Sequence, residues 1–294
     1  MNQKELANFR KAGDISKKAF AYAQELVKPG MKLLEIAEKI EAKIFELGGK
    51  PAFPVNLSMN DIAAHYTSSY DDQGVAHGLL KVDIGVHIEG CVADGALSLN
   101  LDRDDEHEKL IQASQEALDE VLKKVKKGVT LAEIGKLIQG RIVKQGFSPI
   151  GNLSGHEILP YVVHAGLTIP NVDTGSLVKL DEGVYAIEPF ATTGAGSVYE
   201  GGSSGIYQLK QKKPVRDSVA REMLGFIEEE YQTLPFCSRW MVKKFGTRAL
   251  VLLQIMHQQG ILHHYPQLIE KQHGIVSQAE KTIMITKDGV EVLN

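Results

Sequence analysis

Apolar positions fall at helical spacing in two stretches of the chain, and those stretches are copies of one another. VKPGMKLLEIAEKIEAKIFELGGKP, Val27 to Pro51, aligns without gaps on VKKGVTLAEIGKLIQGRIVKQGFSP, Val125 to Pro149. Identical pairs include Gly30 with Gly128, Leu33 with Leu131, Glu35 with Glu133, Ile36 with Ile134, Ile44 with Ile142 and Gly48 with Gly146. In each copy the apolar period predicts a long helix, a glycine turn, a second amphipathic helix ending at glycine, and then a strand. Just downstream, Asn56-Leu57-Ser58 echoes Asn152-Leu153-Ser154. Two amphipathic helices can look alike by chance, but shared Gly and Pro punctuation makes duplication the better reading.

Two helix-rich halves of this kind pack on one side of a central, mostly antiparallel sheet, an α+β layer arrangement with pseudo-two-fold symmetry. A site between the halves is then the natural place for shared chemistry. Residues 1-194 and 272-294 carry this pattern, and residues 195-271 interrupt it as a helical insertion. The core of the insertion, about Gln211 to Lys271, reads as helices: RDSVAREMLGFIEEEYQ, SRWMVKKF and TRALVLLQIMHQQG. Its helix-rich look raises a nucleic-acid role. Lys243, Lys244 and Arg248 are matched there by Glu228, Glu229 and Glu230, so a basic footprint is missing and a cleft wall is the better reading.

Composition narrows the classes. The 33 basic and 37 acidic residues leave a net charge of −4, which makes no case for wholesale nucleic-acid or membrane binding. MNQKELANFRKAGDISKKAF has the spacing of an amphipathic helix and no apolar signal core, so secretion is not expected. No run approaches the roughly 18 apolar residues that span a bilayer. Cys91 and Cys237 are far apart and suit free thiols in a reducing, cytoplasmic setting. Cys91 reads as a small packed strand residue before it reads as a soft ligand.

The candidate chemistry lies in four carboxylates and an imidazole on separate strand-like segments: Asp83, Asp94, His156, Glu188 and Glu280. Singly, acids on strands face solvent or pair with bases. Here Val82, Ile84, Gly85 and Val86 surround Asp83, while Tyr185, Ala186, Ile187 and Phe190 surround Glu188. A carboxylate buried in such company is costly without a cation or several donors. The set is hard and oxygen-rich, able to hold two divalent ions such as Mn, Fe, Co or Zn side by side. Asp83 and Asp94 suit facing strands of a hairpin turning near Glu89-Gly90.

Together these motifs resemble the methionine aminopeptidases of the pita-bread metallopeptidase superfamily, over nearly the whole chain. The resemblance implies Asp83 as a one-metal ligand, Asp94 and Glu280 as bridges between two metals, and His156 with Glu188 at the second metal. His65, in PVNLSMNDIAAHYT, is similar to the family histidine near the scissile amide. His164, in YVVHAGLTIPN, is similar to the one that contacts the substrate carbonyl. Phe53 and Phe190 match aromatic positions of the methionine pocket, though core packing is their ordinary role. The insertion is similar to the subdomain of the type 2 enzymes, and the chain's start at its first catalytic helix favours an archaeal-type member. Gly95 and Lys281 depart from the family's usual Thr and His, at positions where ligand orientation and metal preference are set.

The implied reaction is removal of the initiator methionine from nascent polypeptides whose second residue is small. A metal-activated water attacks the first peptide carbonyl, with Glu188 as general base and then acid. The resemblance implies a monomer, allows a ribosome contact, and implies neither membrane nor specific nucleic acid as partner. Two other readings stay open. One is an Xaa-Pro aminopeptidase or prolidase of the same fold, which shares the five ligands but usually carries a large N-terminal domain. The other is a non-catalytic pita-bread protein that binds ribosomes, RNA or chromatin, which the intact ligand set opposes.

Overall fold

The computed structural model describes all 294 residues, Met1–Asn294. The first round of the chain runs α1 (Gln3–Leu26), α2 (Leu33–Glu46), β1 (Lys50–Pro51), β2 (Asn56–Met59), β3 (Ile62–Ala64), β4 (Leu79–Asp83), β5 (Val86–Ile88), β6 (Cys91–Ala93) and β7 (Gly95–Asn100). The second runs α3 (Asp105–Lys124), α4 (Leu131–Lys144), β8 (Ser148–Pro149), β9 (Ser154–Ile158), β10 (Thr168–Pro170), β11 (Gly183–Ile187) and β12 (Phe190–Thr192). Then come β13 (Val198–Leu209), α5 (Ser218–Glu230), β14 (Phe236–Cys237), α6 (Ser238–Phe245), α7 (Arg248–Gln258) and β15 (Leu262–Glu270). The chain closes with β16 (Val276–Gln278), β17 (Glu280–Thr286) and β18 (Gly289–Val292).

Local chemistry accounts for the paired helices. Asn2 with Glu5 and Thr130 with Glu133 form reciprocal caps at the starts of α1 and α4. The duplicated glycines behave alike in both copies. Gly30 and Gly128, before the second helix, have φ of 81° and 90°; Gly48 and Gly146, after it, have 82° and 87°. Only glycine enters that left-handed region without strain.

The main sheet runs β10-β9-β11-β17-β7-β4-β2, with β18 on the edge of β17, and every strand pairing in the protein is antiparallel. The halves mirror each other: β7, β4 and β2 lead outward one way, and β17, β11 and β9 the other. Because side chains alternate along a strand, the register decides which residues share a face. Leu57, Leu80 and Val82 pack under α1 and α2, while Tyr185, Ile187, Ile283 and Ile285 pack under α3 and α4. Both helical pairs therefore cover one face. The opposite face receives Asn56, Asp83, Ala96, Glu280, Ala186 and His156, aligned across the sheet by the pairs Asn56↔Asp83, Asp83↔Ala96, Glu280↔Ala96 and Ala186↔His156.

Residues 195–271 are less helical than their sequence pattern suggests. Helices α5, α6 and α7 are present, with an apolar cluster around Met223, Phe236, Met241 and Leu253. Leu262–Glu270, expected to be helical, is instead β15, which pairs with β13 and β3. Pro266 lies in the middle of that segment and has no N–H to continue a helix. The hairpin expected at Glu89-Gly90 forms between β5 and β6, with both turn residues at positive φ, 48° and 83°. Cys91 and Cys237 are buried free thiols, and no helix is long and apolar enough to cross a membrane.

Candidate metal centre and substrate cavity

The five candidate ligands reach the same space from within or beside five different strands. Asp83 ends β4, Asp94 precedes β7, His156 lies within β9, Glu188 follows β11, and Glu280 begins β17. All five line a single cavity of about 190 Å³, together with His65, His164, Phe53 and Phe190. Asp94, His156 and Glu280 each offer a ligand atom within 4.8 Å of the others. His156 Nε2 lies 3.6 Å from Asp94 Oδ2 and 3.7 Å from Glu188 Oε1. Asp83 sits across the register from Ala96 and completes the acidic wall.

No lysine or arginine pairs with these four carboxylates; His156 is their one basic neighbour within salt-bridge reach. Burial therefore pushes all four toward the protonated form, and Asp94, Glu188 and Glu280 are raised further by their acidic neighbours. Oδ1 of Asp83 and Oδ1 of Asp94 are buried without any hydrogen-bond partner. Burial holds the His156 imidazole neutral, down to about 4, as a metal-binding imidazole must be. Uncompensated acids, orphaned oxygens and a neutral imidazole are what a divalent cation site offers, so the residues present fit the metal implied by the sequence.

On the substrate side, His65 holds an unusual backbone conformation for a non-glycine residue, φ 64°. Its Nδ1 is 3.2 Å from the Pro266 carbonyl. A carbonyl only accepts, so Nδ1 carries the proton and Nε2 is left as an acceptor. Burial lowers His65 to about 4. The His164 ring stacks edge-on against His156 with centroids 4.5 Å apart and opens to the cavity's solvent although protein crowds around it. That crowding, with His156 and His65 beside it, holds His164 well below the usual histidine range. Both histidines are thus neutral at neutral pH. Phe53 and Phe190 are buried, Phe53 against Cys91 and Val163, and Phe190 against Ala63, Ile150 and Val276. Each has a packing role and also forms part of the cavity wall.

Other cavity residues escaped the sequence reading. Gln278 Nε2 reaches both Glu188 Oε2, at 3.4 Å, and Glu280 Oε2, at 3.3 Å. Its position two residues before Glu280 was the available clue, since that spacing places side chains on one strand face. Tyr265 and Leu268 come from β15 and Ile206 from β13, and all three line the same cavity as the acids. Tyr265 packs edge-on to His65, at 5.5 Å between centroids, and donates its hydroxyl to Gln208 at 2.8 Å. The departures Gly95 and Lys281 prove to be direct register partners, on the helix-covered face. Lys281 is half-buried there, and burial and Lys17 lower its ammonium below the ordinary value while Asp119 opposes them.

Comparison with known proteins agrees with this geometry. Residues 7–229 match the model of metallopeptidase family M24. The methionine aminopeptidase of Pyrococcus horikoshii is 46% identical over 286 residues, covering 96% of each chain. In fold the chain is similar to a thermophilic Arx1, with a TM-score of 0.86 at 17% identity, over 100% of this chain and 91% of that one. It is also similar to the methionine aminopeptidase of Thermotoga maritima, with a TM-score of 0.71 at 20% identity, over 100% and 97%. At that level of identity the solved structures speak to the pita-bread fold alone. The family match over most of the length, and the 46% relative over nearly all of it, show that the chain belongs to metallopeptidase family M24 and, within it, to the methionine aminopeptidases.

Proposed function

We propose that this metal-dependent aminopeptidase releases the first methionine from polypeptides whose second residue is small. The observation that carries the reading is the convergence of four unneutralised carboxylates and a neutral imidazole on one small cavity. Asp83, Asp94, His156, Glu188 and Glu280 would hold two divalent ions, with Asp94 and Glu280 shared between them. When bound, such ions activate water and polarise the scissile carbonyl.

The chain's own groups divide the rest of the work. Glu188, steadied by Gln278, accepts the water's proton and passes it toward the leaving amine. His164, neutral and open to the cavity, donates to the carbonyl oxygen as negative charge develops there. His65 Nε2 accepts from the peptide N–H, because Nδ1 is committed to Pro266. Phe53 and Phe190 enclose the methionine side chain. Residues 195–271 act as a subdomain walling the cavity through Ile206, Tyr265 and Leu268. A bulky second residue meets this packed wall, which yields only at the cost of overpacking. The same reading has the enzyme act as a monomer, in the cytoplasm, on chains leaving the ribosome.

A peptide panel read by mass spectrometry, with Mn, Fe, Co and Zn each supplied in turn, tests this. Met should leave Met-Gly, Met-Ala and Met-Ser peptides, with little cleavage of Met-Lys or Met-Phe. Preference for Xaa-Pro bonds whatever the first residue would move the chain to the proline peptidases. Failure with every peptide and metal would favour a binding protein.

A further inference from the structure

The two central strands share only the pairs Glu280↔Ala96 and Lys281↔Gly95 before β17 parts from β7 and takes β18 as its neighbour. Asn294, only 5% exposed, fills that fork. Its Oδ1 accepts the Thr282 N–H at 2.8 Å, and its Nδ2 donates to the Asp94 carbonyl at 2.6 Å and lies 3.3 Å from Ser16 Oγ on α1. The Thr282 hydroxyl accepts the Asp94 N–H at 2.7 Å and lies 2.7 Å from the Asp94 carbonyl. Both polar atoms of the Asp94 main chain are therefore held by Asn294 and Thr282. Oδ1 of the Asp94 side chain, by contrast, has no partner in the protein. The aim of that carboxylate is set largely through its backbone.

Gly95 belongs to the same arrangement. Its φ is not in the left-handed region, so the backbone does not require glycine there. Space does: a Cβ at position 95 would overlap Asn294 Nδ2 and stand 3.0 Å from a ring carbon of Phe20. The Asn294 carboxamide occupies the volume that a side chain at 95 would take.

We infer that Asn294 is a positioning residue for the metal centre: its carboxamide, seated in the gap left by Gly95, fixes the Asp94 main chain and so aims the Asp94 carboxylate at the ions. The inference rests on the ligand role proposed above for Asp94. Neighbours that orient metal ligands are typically worth about 10- to 100-fold in metal affinity or activity.

The test uses the full-length protein stripped of metal and titrated with Co²⁺ while its visible absorption is followed, alongside the melting temperature of the metal-free form. Asn294→Ala should weaken Co²⁺ binding about 10-fold or more, alter the visible band, and lower kcat with KM nearly unchanged. Gly95→Ala should be destabilised by the clash. The double variant should be less destabilised than the two single losses added together, because the overlapping amide is gone, yet keep the weakened Co²⁺ affinity. An Asn294→Ala protein with wild-type Co²⁺ affinity and spectrum would overturn the inference, as would a Gly95→Ala defect indifferent to residue 294. Wild-type protein that takes up no Co²⁺ would sink the metal reading along with it, so the two failures are told apart by the wild-type titration.

Discussion

A buried ion pair fastens α6 to α2, and breaking it should be severe. Arg239, on α6, donates from Nη1 and Nη2 to the two oxygens of Glu41 on α2, each at 2.8 Å, and from Nε to the Ser68 carbonyl at 3.1 Å. Glu41 also accepts Trp240 Nε1–H at 2.9 Å and the Val55 N–H at 3.3 Å. The side chains are 3% and 8% exposed, so solvent cannot replace a lost partner. Glu41→Ala would leave a buried guanidinium with one carbonyl, and Arg239→Met a buried carboxylate with two neutral donors. Removing one partner of such a pair costs about 3–5 kcal/mol, whereas replacing both by apolar groups is often nearly neutral. Each single variant should therefore lose about 3–5 kcal/mol in urea denaturation of the metal-free protein, and Glu41→Leu with Arg239→Met should lose less than either. The effect should reach the substrate: α6 follows β14, whose Cys237 pairs with cavity-lining Ile206 of β13. Folded single variants should accordingly show a raised KM. Singles costing under about 1 kcal/mol, or a double as costly as their sum, would refute this account of the anchor.

Two further outcomes follow from particular residues. His164→Ala should lose about 100- to 1,000-fold in kcat while metal content survives, since the residue is assigned to the carbonyl and not to a metal; loss of metal would instead make His164 a ligand. His87 is buried in the β5–β6 hairpin, its Nδ1 accepts the Gly90 N–H at 3.1 Å, and burial lowers it to about 4. The unfolded chain binds that proton first, so the stability this histidine confers is intact above about pH 6.5 and is lost as pH falls toward 4. Between pH 7 and 4.5 the metal-free wild type should lose about 2 kcal/mol more than His87→Asn, and parallel pH profiles of the two would contradict it.

Local signals carried far in this chain. The duplicated helices could be read because glycines at fixed offsets end and turn them, and those glycines do adopt left-handed φ. The carboxylates stand out because acids in apolar surroundings are physically anomalous before any contact is known, whereas His65, His164, Phe53 and Phe190 are singled out only by the family resemblance. What escaped depends on pairing between distant segments. β13 contains Gly201-Gly202-Ser203-Ser204-Gly205, a run with the look of a loop, and its pairing with β15 is interrupted by bulges there. The composition gives no hint that a partner strand rescues it. Tyr265 is invisible for the same reason, since only β15 carries it to His65. Gly95 and Asn294, far apart in the sequence, show as a matched pair only where β7 and β17 diverge.

Titration of metal-stripped protein with Co²⁺ or Mn²⁺, scored both for ions bound and for Met released from a Met-Gly peptide, addresses the core of this account. Activity should rise with occupancy to at most two ions per chain, the second permitted to be weak, and Asp94→Ala and Glu280→Ala should each lower occupancy and activity together. Undiminished ion binding and Met release in both variants would contradict the assignment of the buried cluster as the shared metal centre.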